Sequence, residues 1–342
     1  MAFSSVEGEE LIRRVLKEAF KINVRDHQAE AIGVLLDGRD VLSVTSTGSG
    51  KTETLIQLMH VISHLARNPS LSPARAFPTE PVILVVCPTK SLEENMGARI
   101  LGAGIDALVI NRDTLEREYK KGRNLYKEAV RIGSRVILVA PEQLASKGFE
   151  SILANSDLCS RLRVMAIDEA HLMNSWGKTF RKAYREVGWV RARFTNRIPV
   201  FAATATLQPG AATERVLELL GFEEGAYQII RHSNERRDIR IIMRELTHGL
   251  DGDSHPSLYW LLNRTKPALV FCKTIARGYR LARALVEEAV KQQKTIEIRL
   301  YNSLHSLEYN SQTLAFVHSV CHSARTGCMK ARLLKRCGSH CR

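Results

Sequence analysis

Short apolar segments rich in Val and Ile recur along the chain, and segments with helical periodicity separate them. The predicted strands are Asp40–Val44, Val82–Cys87, Ala107–Asn111, Arg135–Ala140, Val164–Asp168 and Val200–Ala203. The predicted helices include Glu53–Ala66, Ser91–Leu101 and Thr114–Ile132. Nearly continuous apolar strands are typical of a parallel sheet with helices on both faces. The pattern therefore predicts an α/β fold, with a ligand crevice at the carboxyl ends of the strands.

The pattern changes after Ala203. A helix is predicted at Thr213–Leu220, then a polar basic linker, and then a second α/β unit with the elements Ala268–Cys272, Ile275–Val290 and Thr295–Tyr301. Three parts are predicted, at residues 1–232, 233–319 and 320–342. The last is a basic, Cys-rich tail, interpreted as a disordered segment, a partner-binding arm, or sequence from an altered reading frame or retained intron. Its cysteines lack the paired C-x2-C spacing of a structural zinc site.

Composition narrows the class of protein. The 342 residues are 44% hydrophobic and 25% charged, and the formal charge of +14 favours a polyanionic partner, because Lys and Arg contacts release counterions from a phosphate backbone. Glu7, Glu9 and Glu10 stand where a secretory signal would be basic and then apolar. We expect an intracellular protein, located in the nucleus.

The segment VLSVTSTGSGKTET predicts a phosphate-binding loop between a strand ending at Val44 and a helix beginning near Lys51. The predicted nucleotide ligands are Thr47, Gly48, Ser49, Gly50, Lys51 and Thr52. Lys51 would reach the β- and γ-phosphates, and the Thr52 hydroxyl would coordinate Mg²⁺. Thr45 occupies the position where the general pattern has its first Gly.

The segment VMAIDEAH predicts the partner of that loop, because an apolar strand delivers two carboxylates to the same edge of the sheet. Asp168 would hold Mg²⁺ through water, and Glu169 would orient and deprotonate the attacking water. His171 would couple this site to neighbouring motifs. The predicted catalytic residues are Lys51, Asp168, Glu169 and His171.

From these motifs the chain resembles the DEAH-type helicases of the second superfamily, and DEAHLMNSWGKTFRKAY resembles the aromatic-rich loop of their RecQ-like branch. The resemblance implies that this loop senses single-stranded DNA, with Trp176 and Phe180 stacking on bases and Arg181 on phosphate. The alternative is that Trp176 and Phe180 are core residues of a short helix.

Further segments follow the order of the same family. FKINVRDHQAEAI resembles the motif in which Arg25 and Gln28 would recognise adenine, which favours ATP over GTP; alone, it could equally begin a surface helix. CPTKSL and APEQL resemble the motifs that hold the DNA backbone, and ATAT, with Thr204 and Thr206, resembles the motif that links hydrolysis to strand separation.

In the second unit, ALVFCKTIARGYRLARAL resembles the first motif of a second RecA-like lobe, and the motif carrying the arginine finger is expected beyond it but does not follow. The resemblance thus implies a RecA-like fold with a partial second lobe, ATP and Mg²⁺ as ligands, and single-stranded or partly duplex DNA as the partner. The implied function is an ATP-dependent 3′-to-5′ DNA helicase. The alternative is a truncated, non-catalytic ATP- and DNA-binding module; the tryptophan-containing loop argues against an RNA helicase.

Overall fold

The computed structural model describes residues 2–133, 135–174, 187–194, 196–235, 239–249, 252–264, 268–323 and 332–337. The chain forms two compact units, Met1–Ile239 and Arg240–Arg342. The sequence predicted a domain boundary after residue 232, seven residues before the division between the two units. No helix within the described ranges is long and apolar enough to cross a lipid bilayer.

The first unit alternates strands and helices. Its strands are β1 (Asp40–Val44), β2 (Val82–Val86), β3 (Asp106–Ile110), β4 (Arg135–Val139), β5 (Leu162–Asp168), β6 (Val200–Thr204) and β7 (Tyr227–Arg231). Its helices are α1 (Val6–Phe20), α2 (Asp26–Leu36), α3 (Lys51–Arg67), α4 (Lys90–Gly102), α5 (Arg112–Tyr119), α6 (Leu125–Ala129), α7 (Lys147–Leu153), α8 (Ser156–Arg161), α9 (Val187–Ala192) and α10 (Ala211–Leu220). Short 3-10 helices lie at Pro69–Leu71, Pro141–Ala145 and Ala170–Asn174.

In the described residues the strands form one sheet in the order β3-β4-β2-β5-β6-β1-β7, and every pairing is parallel. The predicted α/β fold is confirmed. The six strands predicted from apolar runs are all present, with bounds that differ by no more than two residues. Because the strands are parallel, all their carboxyl ends meet at one edge of the sheet, where the predicted phosphate-binding loop and acidic pair lie.

Alternate residues of each strand pack on opposite faces of the sheet, as the two-residue period of a strand requires. Val41 and Val85 belong to a core beneath α1 to α4, whereas Leu42 and Val86 belong to a second core beneath α6 to α10. Both faces are therefore covered, which explains why the strand sequences read as continuous apolar runs.

Two sequence predictions need correction in the first unit. The single helix predicted at Thr114–Ile132 is instead α5 and α6, because Gly122 adopts a left-handed φ of 76° and the Asn124 side chain caps α6 through the Lys127 amide. Strand β7 was not predicted. It is a partly exposed edge strand whose residues YQIIR lack the continuous apolar run of the buried strands.

The second unit has the elements predicted for it and further ones. Its elements are a 3-10 helix (Pro256–Asn263), β8 (Ala268–Cys272), α11 (Ile275–Lys291), β9 (Glu297–Tyr301), α12 (Leu307–Ser323) and β10 (Arg332–Cys337). The described strands pair in parallel in the order β8-β10-β9. The end of α12 and the whole of β10 fall within the segment 320–342 of the sequence, where basic residues interrupt the apolar pattern that marks the other strands.

Candidate nucleotide-binding and catalytic site

Residues 45–50 form a tight loop between the end of β1 and the start of α3. Gly48 and Gly50 adopt left-handed backbone angles, with φ of 85° and 89°. A Cβ atom at Gly50 would also lie only 2.6 Å from Nε2 of Gln28. The loop thus depends on glycine at position 50 for both its backbone conformation and its close contact with the neighbouring helix.

Side chains inside the loop hold its shape. Thr45 Oγ1 lies 2.8 Å from Ser49 Oγ in a buried hydrogen bond, so the residue that replaces the first Gly of the general pattern closes the loop on itself. Lys51 Nζ donates to the carbonyl oxygens of Thr45 and Ser46, at 3.2 Å each. Thr52 follows directly as the second residue of α3. The ammonium group is thus held across the loop, where phosphate oxygens could replace the carbonyl contacts.

The start of α2 binds the other side of the loop. Arg25 Nη1 donates to the Ser49 carbonyl at 2.6 Å, and Gln28 Nε2 donates to the Gly50 carbonyl at 3.0 Å. Gln28 is 2% exposed, and its Oε1 accepts from the backbone N–H of Arg25 at 3.1 Å. Both predicted adenine-reading residues thus reach the loop, where they fix its backbone; their contact with adenine stays a prediction.

An open pocket of about 370 Å³ lies over the loop. It is lined by Arg25, His27, Thr45, Ser46, Thr47, Gly48, Ser49 and His232. The rings of His27 and His232 are 5.3 Å apart, and burial lowers the pKa of His27. Sequence analysis missed both histidines. His232 follows the unpredicted strand β7, and its backbone N–H donates to the Val44 carbonyl at the end of β1.

The acidic pair lies at the carboxyl end of β5. Asp168 is the last residue of the strand, and Glu169 turns the chain sharply with a left-handed φ of 53°, which is uncommon for a residue other than glycine. Burial and the adjacent Glu169 charge raise the pKa of Asp168 to about 6, while the Lys51 charge opposes that shift. The Lys51 charge also lowers the pKa of Glu169. The predicted Lys51, Asp168 and Glu169 are therefore electrostatically coupled in the folded chain.

His171 joins this acidic pair to the end of β6. Its Nδ1 lies 3.2 Å from Glu169 Oε2 and 2.9 Å from Thr204 Oγ1. The hydrogen bond from His171 is the main cause that lowers the pKa of Glu169. Thr204 is fully buried, and its Oγ1 also accepts from the Thr206 amide at 3.3 Å. Glu169 is thus held ionised and in place, where its carboxylate can accept a hydrogen bond from water.

The predicted DNA-contacting residues Trp176, Phe180 and Arg181 lie outside the described residues. The segments CPTKSL and APEQL both follow strands at the carboxyl edge of the sheet. Thr89 caps α4 by accepting from the Leu92 amide, and Pro141 begins a 3-10 helix. These two segments thus lie on the same edge as the nucleotide loop, as expected.

The sequence model of the DEAD/DEAH box helicase family matches residues 25–214, and the chain belongs to this family. Within it the chain is RecQ-like, as the motifs indicated. It is 27% identical over 278 residues to an ATP-dependent DNA helicase RecQ from Haemophilus influenzae, which covers 81% of this chain and 40% of the relative. It is 30% identical over 211 residues to ATP-dependent DNA helicase Q1 from Rattus norvegicus, which covers 60% of this chain and 30% of the relative. The matched region thus spans less than half the length of either relative.

Solved structures agree on the fold. The DUF1998 helicase MrfA, bound to DNA and AMPPNP, matches with a TM-score of 0.59 and 17% identity over 95% of this chain and 43% of its own. Dbp5 from S. cerevisiae, bound to RNA and ADP BeF3, matches with a TM-score of 0.51 and 16% identity over 93% of this chain and 72% of its own. These likenesses confirm the predicted RecA-like α/β fold.

Proposed function

We propose that the chain is the motor part of an ATP-dependent DNA helicase, which couples ATP hydrolysis to single-stranded DNA binding and to 3′-to-5′ unwinding. The observation that carries the proposal is the connection from Glu169 through His171 to Thr204. This connection joins the Glu169 carboxylate, which would activate water, to Thr204 of the ATAT segment. That segment resembles the helicase motif that links hydrolysis to strand separation.

The residues of the loop support nucleotide binding. Lys51 would exchange its bonds with the Thr45 and Ser46 carbonyls for the β- and γ-phosphates, and the α3 amino end would contribute its backbone N–H groups. Glu169 would orient the attacking water and take its proton, and His171 would keep that carboxylate ionised and in place.

The donor set also fits Mg²⁺, the ion that neutralises charge on the phosphates of such substrates. Thr52 and Asp168 offer a hydroxyl and a carboxylate, the hard oxygen ligands that this ion prefers. Burial disfavours the negative charge of Asp168, so a cation beside it would stabilise the ionised form. We assign Thr52 and Asp168 as the residues that would hold the ion.

DNA as the partner rests on three points. The relatives from Haemophilus influenzae and Rattus norvegicus are named DNA helicases, the chain carries a formal charge of +14, and Trp176, Phe180 and Arg181 have the chemistry to stack on bases and bind phosphate. A DNA partner is consistent with a nuclear location.

The test is phosphate release with and without single-stranded DNA, followed by unwinding of duplexes with a 3′ or a 5′ tail. We expect DNA-stimulated release that is lost in Glu169→Gln and kept in Glu10→Gln, an exposed carboxylate on α1. Unwinding only of the 3′-tailed duplex would support the polarity. ATP and DNA binding without any release would instead favour the non-catalytic module.

A further inference from the structure

A second cavity, of about 230 Å³, lies at the opposite edge of the first sheet. Its lining includes Gly38, Leu162 and Pro199, which lie at or just before the amino ends of β1, β5 and β6. The phosphate-binding loop lies at the other end of β1, roughly 15 Å away along a five-residue strand. This cavity is therefore separate from the nucleotide site.

The rim of the cavity is cationic and its floor is apolar. Arg75, Arg163 and Arg197 reach it from three different segments, and Ser160 and Asn196 add polar groups. Among the described residues no Asp or Glu lines it. Buried side chains such as Leu58, Ile62 and Ile198 form the floor.

The guanidinium groups are held in place by different contacts. Arg75 donates to the backbone carbonyls of Leu36 and Asp37. Arg163 lies over the ring of Phe77, with its Cζ 5.8 Å from the ring centroid. Each of these two is thus positioned without a carboxylate, as far as the described residues show.

Arg197 differs in having two acidic neighbours. Its Nη2 lies 3.7 Å from Asp40, and its Nη1 lies 3.8 Å from Glu223, both near the limit for an ion pair. Asp40 is already bound by Arg191 at 2.8 and 2.9 Å. The side chain of Arg197 is half-exposed, so its guanidinium can also face the cavity.

This concentration of positive charge is unfavourable in the absence of an anion. Burial lowers the pKa of Arg163, and the nearby charge of Arg75 lowers it further. Two like charges that are partly removed from water repel each other, and a bound anion would replace that repulsion with charge-assisted hydrogen bonds.

We propose that this cavity binds a small phosphate monoester, with the phosphate on Arg75, Arg163 and Arg197 and an aromatic or aliphatic group against the apolar floor. Guanidinium groups bind phosphate through paired N–H donors, and a phosphate dianion needs more than one cation. The floor beside Phe77 adds a preference for esters over inorganic phosphate, because an apolar group there would leave water.

The experiment measures binding of phenyl phosphate to the full chain by isothermal titration calorimetry, at fixed ionic strength and without Mg²⁺. The Lys51→Ala background removes the main cation of the nucleotide loop. We expect saturable binding with one site, weaker binding of inorganic phosphate, and none of phenol. Arg163→Gln should weaken binding about tenfold or more, because a hydrogen bond to a charged group contributes about 1.5 to 3 kcal/mol.

Arg14→Gln is the matched control, because it removes the same charge from an exposed position on α1 and should leave the affinity within about twofold. If Arg163→Gln fails to fold by circular dichroism, Arg197→Gln provides the same test from a half-exposed side chain. Two results would overturn the proposal: no saturable binding of phenyl phosphate by the Lys51→Ala chain, or unchanged affinity for it in whichever of Arg163→Gln and Arg197→Gln folds. Displacement of phenyl phosphate by a single-stranded oligonucleotide would also overturn it in favour of a nucleic-acid contact.

Discussion

Thr204 Oγ1 lies 2.9 Å from His171 Nδ1, and the same nitrogen lies 3.2 Å from Glu169 Oε2. Strands β5 and β6 are neighbours in the sheet, so their carboxyl ends bring these residues together although 33 positions separate His171 from Thr204. The hydroxyl at the end of β6 is thus connected to the proposed catalytic carboxylate by a single imidazole ring.

Thr204→Val should therefore lower DNA-stimulated ATP hydrolysis while leaving ATP affinity within about twofold. Valine keeps the volume of the buried side chain but removes the oxygen that contacts His171 and the Thr206 amide. The contact contributes about 1 to 3 kcal/mol to holding Glu169 in its catalytic position, so we expect the hydrolysis rate to fall about 5- to 150-fold. Thr213→Val, another buried threonine, is the control in the phosphate-release assay. Equal rates in both variants would show that Thr204 is only structural.

Lys51→Ala should weaken ATP binding by at least about tenfold. Two carbonyl oxygens hold the ammonium group over the loop. When phosphate oxygens replace these carbonyl contacts, Lys51 forms charge-assisted hydrogen bonds of about 1.5 to 3 kcal/mol each. Titration with a fluorescent ATP analogue measures the change. Lys127→Ala removes an exposed lysine on α6 and should bind normally. If both variants bind the analogue equally well, Lys51 does not contact the nucleotide.

Trp176→Ala should weaken binding of single-stranded DNA about 5- to 150-fold, because stacking of one base on an aromatic side chain contributes about 1 to 3 kcal/mol. The dependence on salt should persist, since it arises from phosphate contacts elsewhere. Fluorescence anisotropy with a labelled oligonucleotide at fixed salt measures both effects. Trp189→Ala removes a tryptophan that is 75% exposed on α9 and serves as the control. Wild-type affinity in Trp176→Ala would favour the alternative that this tryptophan is a core residue.

The strands and the nucleotide loop could be predicted because their signals are local. A buried parallel strand requires a run of apolar residues, and the loop requires glycine and lysine at fixed spacing. Other features depend on residues that are far apart in the chain. His232 reaches the loop only because β7 pairs with β1, and Arg75, Arg163 and Arg197 meet only when the amino ends of distant strands come together. No periodicity within the sequence reports such contacts.

The buried ion pair at the start of β1 is another contact of this kind. Asp40 is fully buried, both of its carboxylate oxygens accept from Arg191 at 2.8 and 2.9 Å, and one also accepts from the Val200 amide at 2.8 Å. Asp40→Ala should lower the free energy of unfolding by about 3 to 5 kcal/mol, because Arg191 would remain as an uncompensated buried charge. Urea unfolding measures the loss, and Asp40→Ala combined with Arg191→Met should recover part of it. A double variant no more stable than Asp40→Ala would contradict this explanation.

Glu93 on α4 should make the stability of the first unit depend on pH. Its side chain is buried, Oε2 accepts from Asn111 Nδ2 at 2.6 Å, and Oε1 has no partner among the described groups. Burial raises the pKa of Glu93 from 4.5 to about 7; Glu142 and Glu94 add to the shift, while Asn111 and Lys90 oppose it. The folded state thus binds the Glu93 proton more tightly than the unfolded state does. The resulting stabilisation of the fold is fully present below pH 4.5 and is lost as the pH rises through about 7. Integrated over that interval, the loss is on the order of 3 kcal/mol.

Glu93→Gln replaces the protonated acid by a neutral amide of the same shape and should remove this pH dependence. Urea unfolding at about pH 5 and about pH 8 should show a loss in the wild type that is largely absent in the variant. Glu94→Gln, a neighbouring exposed carboxylate on the same helix, should keep most of the wild-type difference. If wild type and Glu93→Gln lose the same stability between the two pH values, Glu93 has an ordinary pKa and its burial is compensated by a contact with another group.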